Sequence, residues 1–385
     1  MTSPRPDAGA APGSTASLRT ANRHRVLDVL RDEAGVFTQA ELARATGLAP
    51  ATVSSLVREL SEEGLVEAEP GSGRRGSAVR LSRETGIVAG IDFGHSHVAV
   101  AVGDLSGRIL GEYRRRLQDS VDHHVALADA RTMLDSVRVG SARLRAVGLG
   151  LPAPIAGDVV QSSAIFPGWE GVNAREVAEE VFQVPAHVDN DANLGALAEH
   201  RIGAARGHDS SVYVKTASGV GAGIIVDNEL FQGASGTAGE IGHLTIDDNG
   251  PLCRCGKRGC LEAYTSTPFV TREVSGQVPG ADDIDKVVAA AREGNVAARR
   301  ALEEAGHHLG RGLAAVVNLI NPSIVVVGGH LAMAGDLLLD SARISLRRYA
   351  VDPVASTPVL PSALEGRAST IGAVLLAAER TTIVD

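Results

Sequence analysis

The feature that most constrains the fold of this chain is an internal repeat of a three-stranded pattern. Residues 86–117 read GIVAGIDFGHSHVAVAVGDLSGRILGEYRRRL, which predicts three strands with turns at 94–96 and 104–107. Residues 210–233 read SSVYVKTASGVGAGIIVDNELFQG and repeat the order strand, turn, strand, turn, strand. Alternating helical and strand patterns follow each copy. Two copies of this kind predict two α/β lobes of one design, with a ligand cleft between them.

All three cysteines of the chain lie close to one histidine. His243, Cys253, Cys255 and Cys260 have the spacing H-x9-C-x-C-x4-C. Four nitrogen and sulfur ligands are what a tetrahedral structural zinc requires, so we predict one closed zinc site per chain. The alternative is three reduced core cysteines beside an unrelated histidine, but the surrounding Gly, Arg, Lys and Pro are typical of a loop. An odd number of cysteines argues against a disulfide framework, and a cytoplasmic location is expected.

Composition places the chain among soluble globular proteins. It has 385 residues, 44% of them hydrophobic and 22% charged, which is enough for two or three domains with buried cores. The N-terminus has no apolar signal segment, and no run approaches the roughly 18 apolar residues of a membrane span. We therefore expect no membrane association. Residues 1–18, rich in Pro, Ala, Gly and Ser, are predicted to be a disordered tail.

Charge is unevenly distributed along the chain. Residues 1–83 carry 11 Arg and 10 Asp or Glu, whereas residues 84–385 carry 26 Lys or Arg and 36 Asp or Glu. The acidic larger part is not expected to attract nucleic acid, so binding to a polyanion must be a local property. Basic residues cluster in the N-terminal part, at Arg19, Arg23 and Arg25 and again from Arg74 to Arg83.

Residues 19–83 have the pattern of a winged helix-turn-helix domain. From Asn22 a helical spacing of apolar residues is followed by the T-x-x-E capping box of Thr38 and Glu41. Pro50 then opens a second short helix that closes at Gly64, and two strands around a Gly/Ser/Arg tip complete the pattern.

The helix after Pro50 is predicted to be the recognition helix. Its apolar stripe faces inward, and its opposite face carries small polar groups and one arginine that suit the major groove. The arginines of the wing tip suit the DNA backbone or the minor groove. The alternative is a small helical domain for protein contacts with a solvated arginine loop. The predicted DNA-binding residues are Ala51, Thr52, Ser54, Ser55, Arg58, Arg74 and Arg75.

The N-terminal pattern, the tandem lobes and the GH…C-x-C-G-x-x-G-C-x-E stretch together resemble the ROK family of repressors, open reading frames and kinases. The resemblance covers nearly all of residues 20–385. It implies an actin-like sugar-kinase fold of two α/β lobes over residues 84–385, with a structural zinc loop. The second lobe is expected at roughly 207–367, and the C-terminal helix is expected to return to the first lobe.

The resemblance also implies a sugar site. Asn190 and Asp191 match the family's sugar-binding Asn and catalytic-base Asp, while Glu240, His243 and Glu262 match residues that hold sugar hydroxyls. Convergent carboxylates, amides and an imidazole are what hydroxyl recognition needs. His243 would bind zinc through one ring nitrogen and the sugar through the other. An alternative for Asp191 is the N-cap of the helix that it begins, and both roles can hold together.

The chain departs from the family's kinases at the nucleotide. His95 stands where the phosphate-binding Asp-x-Gly-Gly-Thr turn has its second glycine, so a side chain occupies the place where backbone should approach phosphate. The second lobe keeps Ser218–Gly223 and Gly328-Gly329, although hairpins also use glycine for structural reasons alone. Ile165 replaces a sugar-contacting amide. We therefore expect no use of ATP and magnesium and no catalytic residue, with Asp191 a vestigial base.

Three hypotheses follow from these patterns. We favour a sugar-responsive transcriptional regulator, specifically a repressor of carbohydrate-metabolism genes that binds operator DNA and a monosaccharide effector. A palindromic operator would require a homodimer or homotetramer. The first alternative is an ATP-dependent sugar kinase, similar to ROK glucokinases, that carries a DNA-binding domain. The second is a DNA-binding scaffold whose lobes only mediate oligomerisation, which would not require the sugar-binding set.

Overall fold

The protein is described by a computed structural model that covers residues 15–32, 36–69, 78–82, 85–95, 97–117, 122–137, 142–161 and 167–381. Within these ranges no helix combines the length and apolar character needed to cross a membrane. Arg74, Arg75 and Ile165 lie outside the described residues.

The N-terminal module is a winged helix-turn-helix. Its three-stranded sheet has the order β1-β3-β2, with both pairings antiparallel. The capping box is present, because Glu41 N donates to Thr38 Oγ1 (3.3 Å) and Thr38 N donates to Glu41 Oε2 (2.7 Å). Gly47 then ends the helix with a φ of 68°, where a residue without a Cβ is favoured. The elements are α1 (Thr15–Asp32), β1 (Phe37–Thr38), α2 (Gln39–Thr46), α3 (Pro50–Glu62), β2 (Val66–Glu69) and β3 (Ala78–Leu81).

Helix α1 is longer than its apolar spacing predicts. It begins at Thr15 rather than Asn22 and so extends into residues 1–18, the predicted tail. Arg19, within the extra turns, pairs with Glu59 of α3, and Arg23, one residue after the predicted start, contacts the same carboxylate. Arg23 also pairs with Glu63. Two arginines of the basic N-terminal cluster are therefore engaged within the protein.

The two lobes have the same topology, as the repeated three-stranded pattern in the sequence predicts. Their sheets have the orders β6-β5-β4-β7-β10 and β13-β12-β11-β14-β15. In each, three antiparallel strands of a meander are extended by two parallel strands. The first-lobe strands are β4 (Ile87–Gly94), β5 (His97–Asp104), β6 (Ile109–Arg116), β7 (Leu144–Leu151) and β10 (Ala186–Asn190). The second-lobe strands are β11 (Ser211–Thr216), β12 (Val220–Val226), β13 (Glu229–Leu230), β14 (Ile324–Gly328) and β15 (Val359–Pro361).

Helices cover these sheets and bury a separate core in each lobe. A two-stranded hairpin of β8 (Ile155–Ala156) and β9 (Val159–Val160) extends the first lobe. The first-lobe helices are α4 (His123–Val137) and α5 (Ala174–Phe182). The second-lobe helices are α7 (Glu262–Thr265), α8 (Thr267–Glu273), α9 (Ile284–Arg292), α10 (Val296–Ile320) and α11 (Asp336–Tyr349).

Two buried helices, α6 (Asp191–Ile202) and α12 (Ala368–Arg380), pack against each other and against the sheets. The C-terminal helix α12 returns to the first lobe, where it packs on β4, β5 and β7. Backbones approach closely here: a Cβ on Gly372 would lie 1.9 Å from the carbonyl oxygen of Leu194 on α6. Both helices begin at the cleft, so their first residues are fixed by this packing.

The winged helix shares a core with the first lobe. One continuous cluster of buried side chains includes Leu56 and Leu60 of α3 together with Leu105 of the first lobe and Ala377 of α12. The connection between β3 and β4 is also short, residues 82–86. The DNA-binding module is therefore packed on the first lobe.

Candidate functional site

A cleft of about 1330 Å³ lies at the carboxyl ends of the central strands of both lobes. This edge is where open α/β sheets bind ligands, because loops and helix starts converge there. All five residues predicted to contact sugar line this cleft, although they come from distant parts of the chain: Asn190, Asp191, Glu240, His243 and Glu262.

Asn190 and Asp191 occupy the junction of β10 and α6. Asn190, not Asp191, is the N-cap of α6: its Oδ1 accepts from Ala192 N (2.8 Å), and its Nδ2 donates to the carbonyl oxygen of Ala153 (3.1 Å). The alternative role considered for Asp191 thus belongs to its neighbour. The carboxylate of Asp191 is left to interact with groups in the cleft.

Asp191 is paired with Lys215, a residue that the sequence patterns did not single out. Lys215 Nζ lies 2.8 Å from Asp191 Oδ2 and donates to Ser369 Oγ at 2.9 Å. Burial alone would lower the pKa of Lys215, but the charges of Asp191 and Asp92 outweigh it and raise that pKa. The cleft floor therefore carries a fixed ammonium group.

Asp92, near the end of β4, forms the first-lobe side of the same network. Its Oδ2 lies 3.2 Å from His97 Nε2. Burial opposes ionisation of Asp92, yet the charge of Lys215 and the hydrogen bond from His97 lower its pKa to about 2. Asp92 is consequently an anion at any physiological pH.

The two glutamates of the cleft differ in environment. Glu262 is buried and fully engaged, since Oε2 accepts from Val220 N (3.0 Å) and Oε1 pairs with Arg254 Nε (2.8 Å). Among the described residues, no arginine or lysine forms an ion pair with Glu240. Burial, with repulsion from Asp191 and Glu262, raises the pKa of Glu240 to about 7. Glu240 can therefore both donate to and accept from a ligand hydroxyl.

His243, Cys253, Cys255 and Cys260 come together beside the cleft, with one ligand atom of each within 4.8 Å of the others. His243 Nδ1 lies 3.8 Å from Cys253 Sγ, and Cys255 Sγ lies 3.7 Å from Cys260 Sγ. All three cysteines are free thiols. His243 Nε2 faces Glu240 Oε2 at 3.9 Å. The cluster could hold a metal ion while the second imidazole nitrogen points toward the cleft.

His95 lies in the turn between β4 and β5, exposed at the cleft mouth. The backbone there does not adopt a positive φ, so the side chain is accommodated without strain. Partial desolvation, followed by the charge of Arg254, lowers the pKa of His95. An imidazole thus stands beside an arginine where glycine would leave the backbone open.

The exposed face of α3 carries the predicted DNA contacts. Ala51, Ser54 and Arg58 are exposed, and Thr52 and Ser55 are half-buried. The opposite face buries Val53, Leu56, Val57 and Leu60 in the core of the module.

Profiles of known families divide the chain in the same way as its structure. The ROK family profile matches residues 88–380, and a MarR family profile matches residues 19–75. The xylose repressor of Bacillus subtilis is 29% identical over 346 residues, which is 87% of this chain and 89% of that protein.

Two solved structures are similar along most of their length. A ROK family glucokinase from Streptomyces griseus, in complex with glucose and AMPPNP, is 30% identical with a TM-score of 0.70, covering 76% of this chain and 100% of that one. A ROK family transcriptional regulator, a homologue of the Escherichia coli MLC protein, is 24% identical with a TM-score of 0.77. The match covers 93% of this chain and 96% of the regulator, so the fold of nearly the whole chain is shared.

Proposed function

The chain belongs to the ROK family, and on that premise we propose that it is a sugar-responsive transcriptional repressor of carbohydrate-metabolism genes. The observation that carries this proposal is that one continuous apolar cluster joins the winged helix to the first lobe, which forms one side of the polar cleft. The similarity to a xylose repressor over 87% of the chain supports the same assignment. Residues 19–83 would bind operator DNA, and residues 84–385 would bind the effector.

The effector is a monosaccharide held by Asn190, Asp191, Glu240, His243 and Glu262. These residues supply amide, imidazole and carboxylate groups that converge on one cleft, and hydroxyl recognition depends on such groups. Arg254 anchors Glu262, so we assign to Glu262 an orienting role and to Glu240 the more direct contact.

The ion of the Cys3His cluster is a structural zinc, one per chain. Zinc at about 2.3 Å from sulfur and about 2.0 Å from nitrogen would set tetrahedral ligands roughly 3.5–3.8 Å apart. The pairs His243 Nδ1–Cys253 Sγ (3.8 Å) and Cys255 Sγ–Cys260 Sγ (3.7 Å) fit that spacing. A site with four protein ligands leaves no position for substrate, so the ion would hold the loop of residues 253–260 rather than take part in chemistry.

The DNA-binding surface is the exposed face of α3, with Arg58 on phosphate and the small side chains of Ala51, Thr52, Ser54 and Ser55 at the base edges. Arg74 and Arg75 are assigned to the wing from their sequence position alone. Two recognition helices are needed for a palindromic operator, so the active species is a homodimer or homotetramer.

Sugar phosphorylation is the second candidate function, favoured by the likeness to a glucokinase. Two features of the cleft oppose it. His95 occupies the turn that should offer backbone N–H groups to phosphate. Lys215 binds the carboxylate of Asp191, which a general base would need to offer to the sugar hydroxyl.

A thermal-shift screen distinguishes these functions. We expect one monosaccharide, from a panel including D-xylose, D-glucose and N-acetyl-D-glucosamine, to raise the Tm without ATP, and Mg-ATP to add nothing. Stabilisation that requires Mg-ATP, with product formed, would favour the kinase.

A further inference from the structure

Lys215 differs from every other lysine of the chain. The chain has three lysines, Lys215, Lys257 and Lys286, and the rest of its 37 lysines and arginines are arginine. Lys257 and Lys286 are exposed, whereas Lys215 lies on β11, the central strand of the second-lobe sheet. A buried ammonium group is costly unless it is paired, so its partners define what this residue does.

Those partners lie outside the second-lobe sheet, on the first-lobe strand β4 and on α6 and α12; α12 packs on the first lobe, whereas α6 packs on α12 and also on β11 and β12. Asp191 begins α6, Ser369 lies in the first turn of α12, and Asp92 lies near the end of β4 in the first lobe. Ser369 Oγ also donates to the backbone oxygen of Asp191 at 2.8 Å, which ties the two helix starts together. Lys215 thus contacts the starts of α6 and α12 directly. Asp92 of β4 is close enough for its charge to stabilise the same ammonium group.

We propose that the contacts of Lys215 with Asp191 and Ser369, which we call the latch, hold the two lobes together and that effector binding weakens them. The proposal rests on the function proposed above, in which Asp191 binds the sugar. Lys215 and a ligand hydroxyl would then share one carboxylate. A hydroxyl that donates to Asp191 withdraws part of its charge from the ammonium group and moves the carboxylate, so the contact across the lobes becomes weaker.

The packing of the winged helix determines what such a change moves. The module is joined to the first lobe by a continuous apolar cluster and by the short connection of residues 82–86. Helix α12 belongs to the same body, since Ala377 lies in that cluster. A weaker latch lets the second lobe rotate against this body, and the recognition helices of an oligomer change their spacing.

The rarity of lysine makes the latch directly observable. Protein labelled with 13C at lysine Cε should give three lysine side-chain signals, assigned with the variants Lys215→Met, Lys257→Met and Lys286→Met. Calorimetry with D-xylose, D-glucose and N-acetyl-D-glucosamine first identifies the sugar that binds. The Lys215 signal should shift when the protein is saturated with that sugar. The Lys257 signal should not shift, because Lys257 is not among the residues that line the cleft. Sugar binding with an unmoved Lys215 signal overturns the latch alone, whereas no binding by any of the sugars overturns the proposed function as well.

Operator binding provides the functional test. Lys215→Met should bind operator DNA, but the ratio of its Kd with and without sugar should fall to about one, because the coupling between the sites is removed. Lys286→Met, which removes another lysine of the cleft wall, should keep the wild-type ratio. A wild-type ratio in Lys215→Met with normal sugar binding contradicts the latch.

Lys215→Met leaves two buried carboxylates without their counter-ion and could fail to fold. Two milder variants cover that case. Ser369→Ala removes two hydrogen bonds, the one that Ser369 Oγ accepts from Lys215 Nζ and the one that it donates to the backbone oxygen of Asp191, and leaves every charge in place. It should reduce the sugar-dependent ratio by about fivefold without preventing sugar binding. The double variant Lys215→Met/Asp191→Asn, in which one positive and one negative charge are removed together, should fold and bind operator with no sugar response. An unchanged ratio in Ser369→Ala, or a retained response in the double variant, would overturn the proposal.

Discussion

Arg254 Nε lies 2.8 Å from Glu262 Oε1, which fixes a residue between two cysteines of the Cys3His cluster to a carboxylate of the cleft. His243 makes a second connection, because its Nδ1 faces Cys253 and its Nε2 faces Glu240. The cluster and the cleft are therefore one structural unit. Disturbing the metal loop should affect ligand binding as well as stability.

The metal is the first prediction. Purified protein should contain about one zinc per chain, and Cys255→Ser should lose it because three ligands no longer close the tetrahedron. The Tm should fall by about 1 °C for each kcal/mol by which the free energy of unfolding decreases, because the entropy of unfolding of a 385-residue chain is large. Metal analysis with calorimetry measures both, and Lys257→Ala in the same loop serves as the control. Native protein that contains no zinc would refute the assignment.

The DNA surface is the second prediction. Arg58→Ala should weaken operator binding with the fold intact, since Arg58 is exposed and is assigned a phosphate contact. The slope of log K against log salt should fall in magnitude by about one for each phosphate-binding arginine that is removed. Adding Arg74→Ala should deepen both effects. A mobility-shift titration at several salt concentrations, with Arg300→Ala as the control, measures this. Unchanged affinity in the double variant would place the interface elsewhere.

The sugar site is the third prediction. Asp191→Ala should abolish the response to sugar while operator binding without sugar survives, because Asp191 lies far along the chain from the winged helix and inside the cleft. His243→Ala should be worse, since it also opens the metal cluster. Calorimetry with the sugar and thermal unfolding separate the two effects. A normal sugar response in Asp191→Ala would mean that the cleft has been assigned wrongly.

Local patterns in the sequence were sufficient to predict the two lobes and the winged helix. Strand alternation, turn glycines and the Thr38–Glu41 capping box act over a few residues, and the sheets follow them. Helix α1 begins seven residues before Asn22, where the apolar spacing starts, and the ion pair within these added residues joins Arg19 to Glu59, 40 residues away along the chain.

The cleft floor could not be predicted from local patterns for the same physical reason. Lys215 meets Asp191 across 24 residues and Ser369 across 154 residues of sequence, and no periodicity records such a contact. The available signal is compositional: Lys215 lies inside an apolar strand, in a chain in which only three of the 37 lysines and arginines are lysine. The role of Arg254 could not be predicted either, because in the sequence it is one of several basic residues in a loop.

Phosphoryl transfer is the fourth prediction. Wild-type protein should not phosphorylate common aldoses at a useful rate, because losing a preorganised set of phosphate-facing donors costs on the order of 3 kcal/mol, a factor of about a hundred or more in rate. A coupled kinase assay beside His95→Gly measures this. Kinase activity that appears only in His95→Gly would support the assignment as a transcriptional regulator. Robust turnover by the wild type would revive the kinase.

The central claim is that sugar in the cleft controls DNA binding by the winged helix. The most direct measurement is the Kd for an operator fragment, selected from genomic DNA by the purified protein, at one salt concentration with and without saturating sugar. We expect the Kd to rise by about 5- to 150-fold, the usual range of coupling between two sites on one protein. An operator Kd that stays the same when a sugar is shown by calorimetry to occupy the cleft would contradict the account.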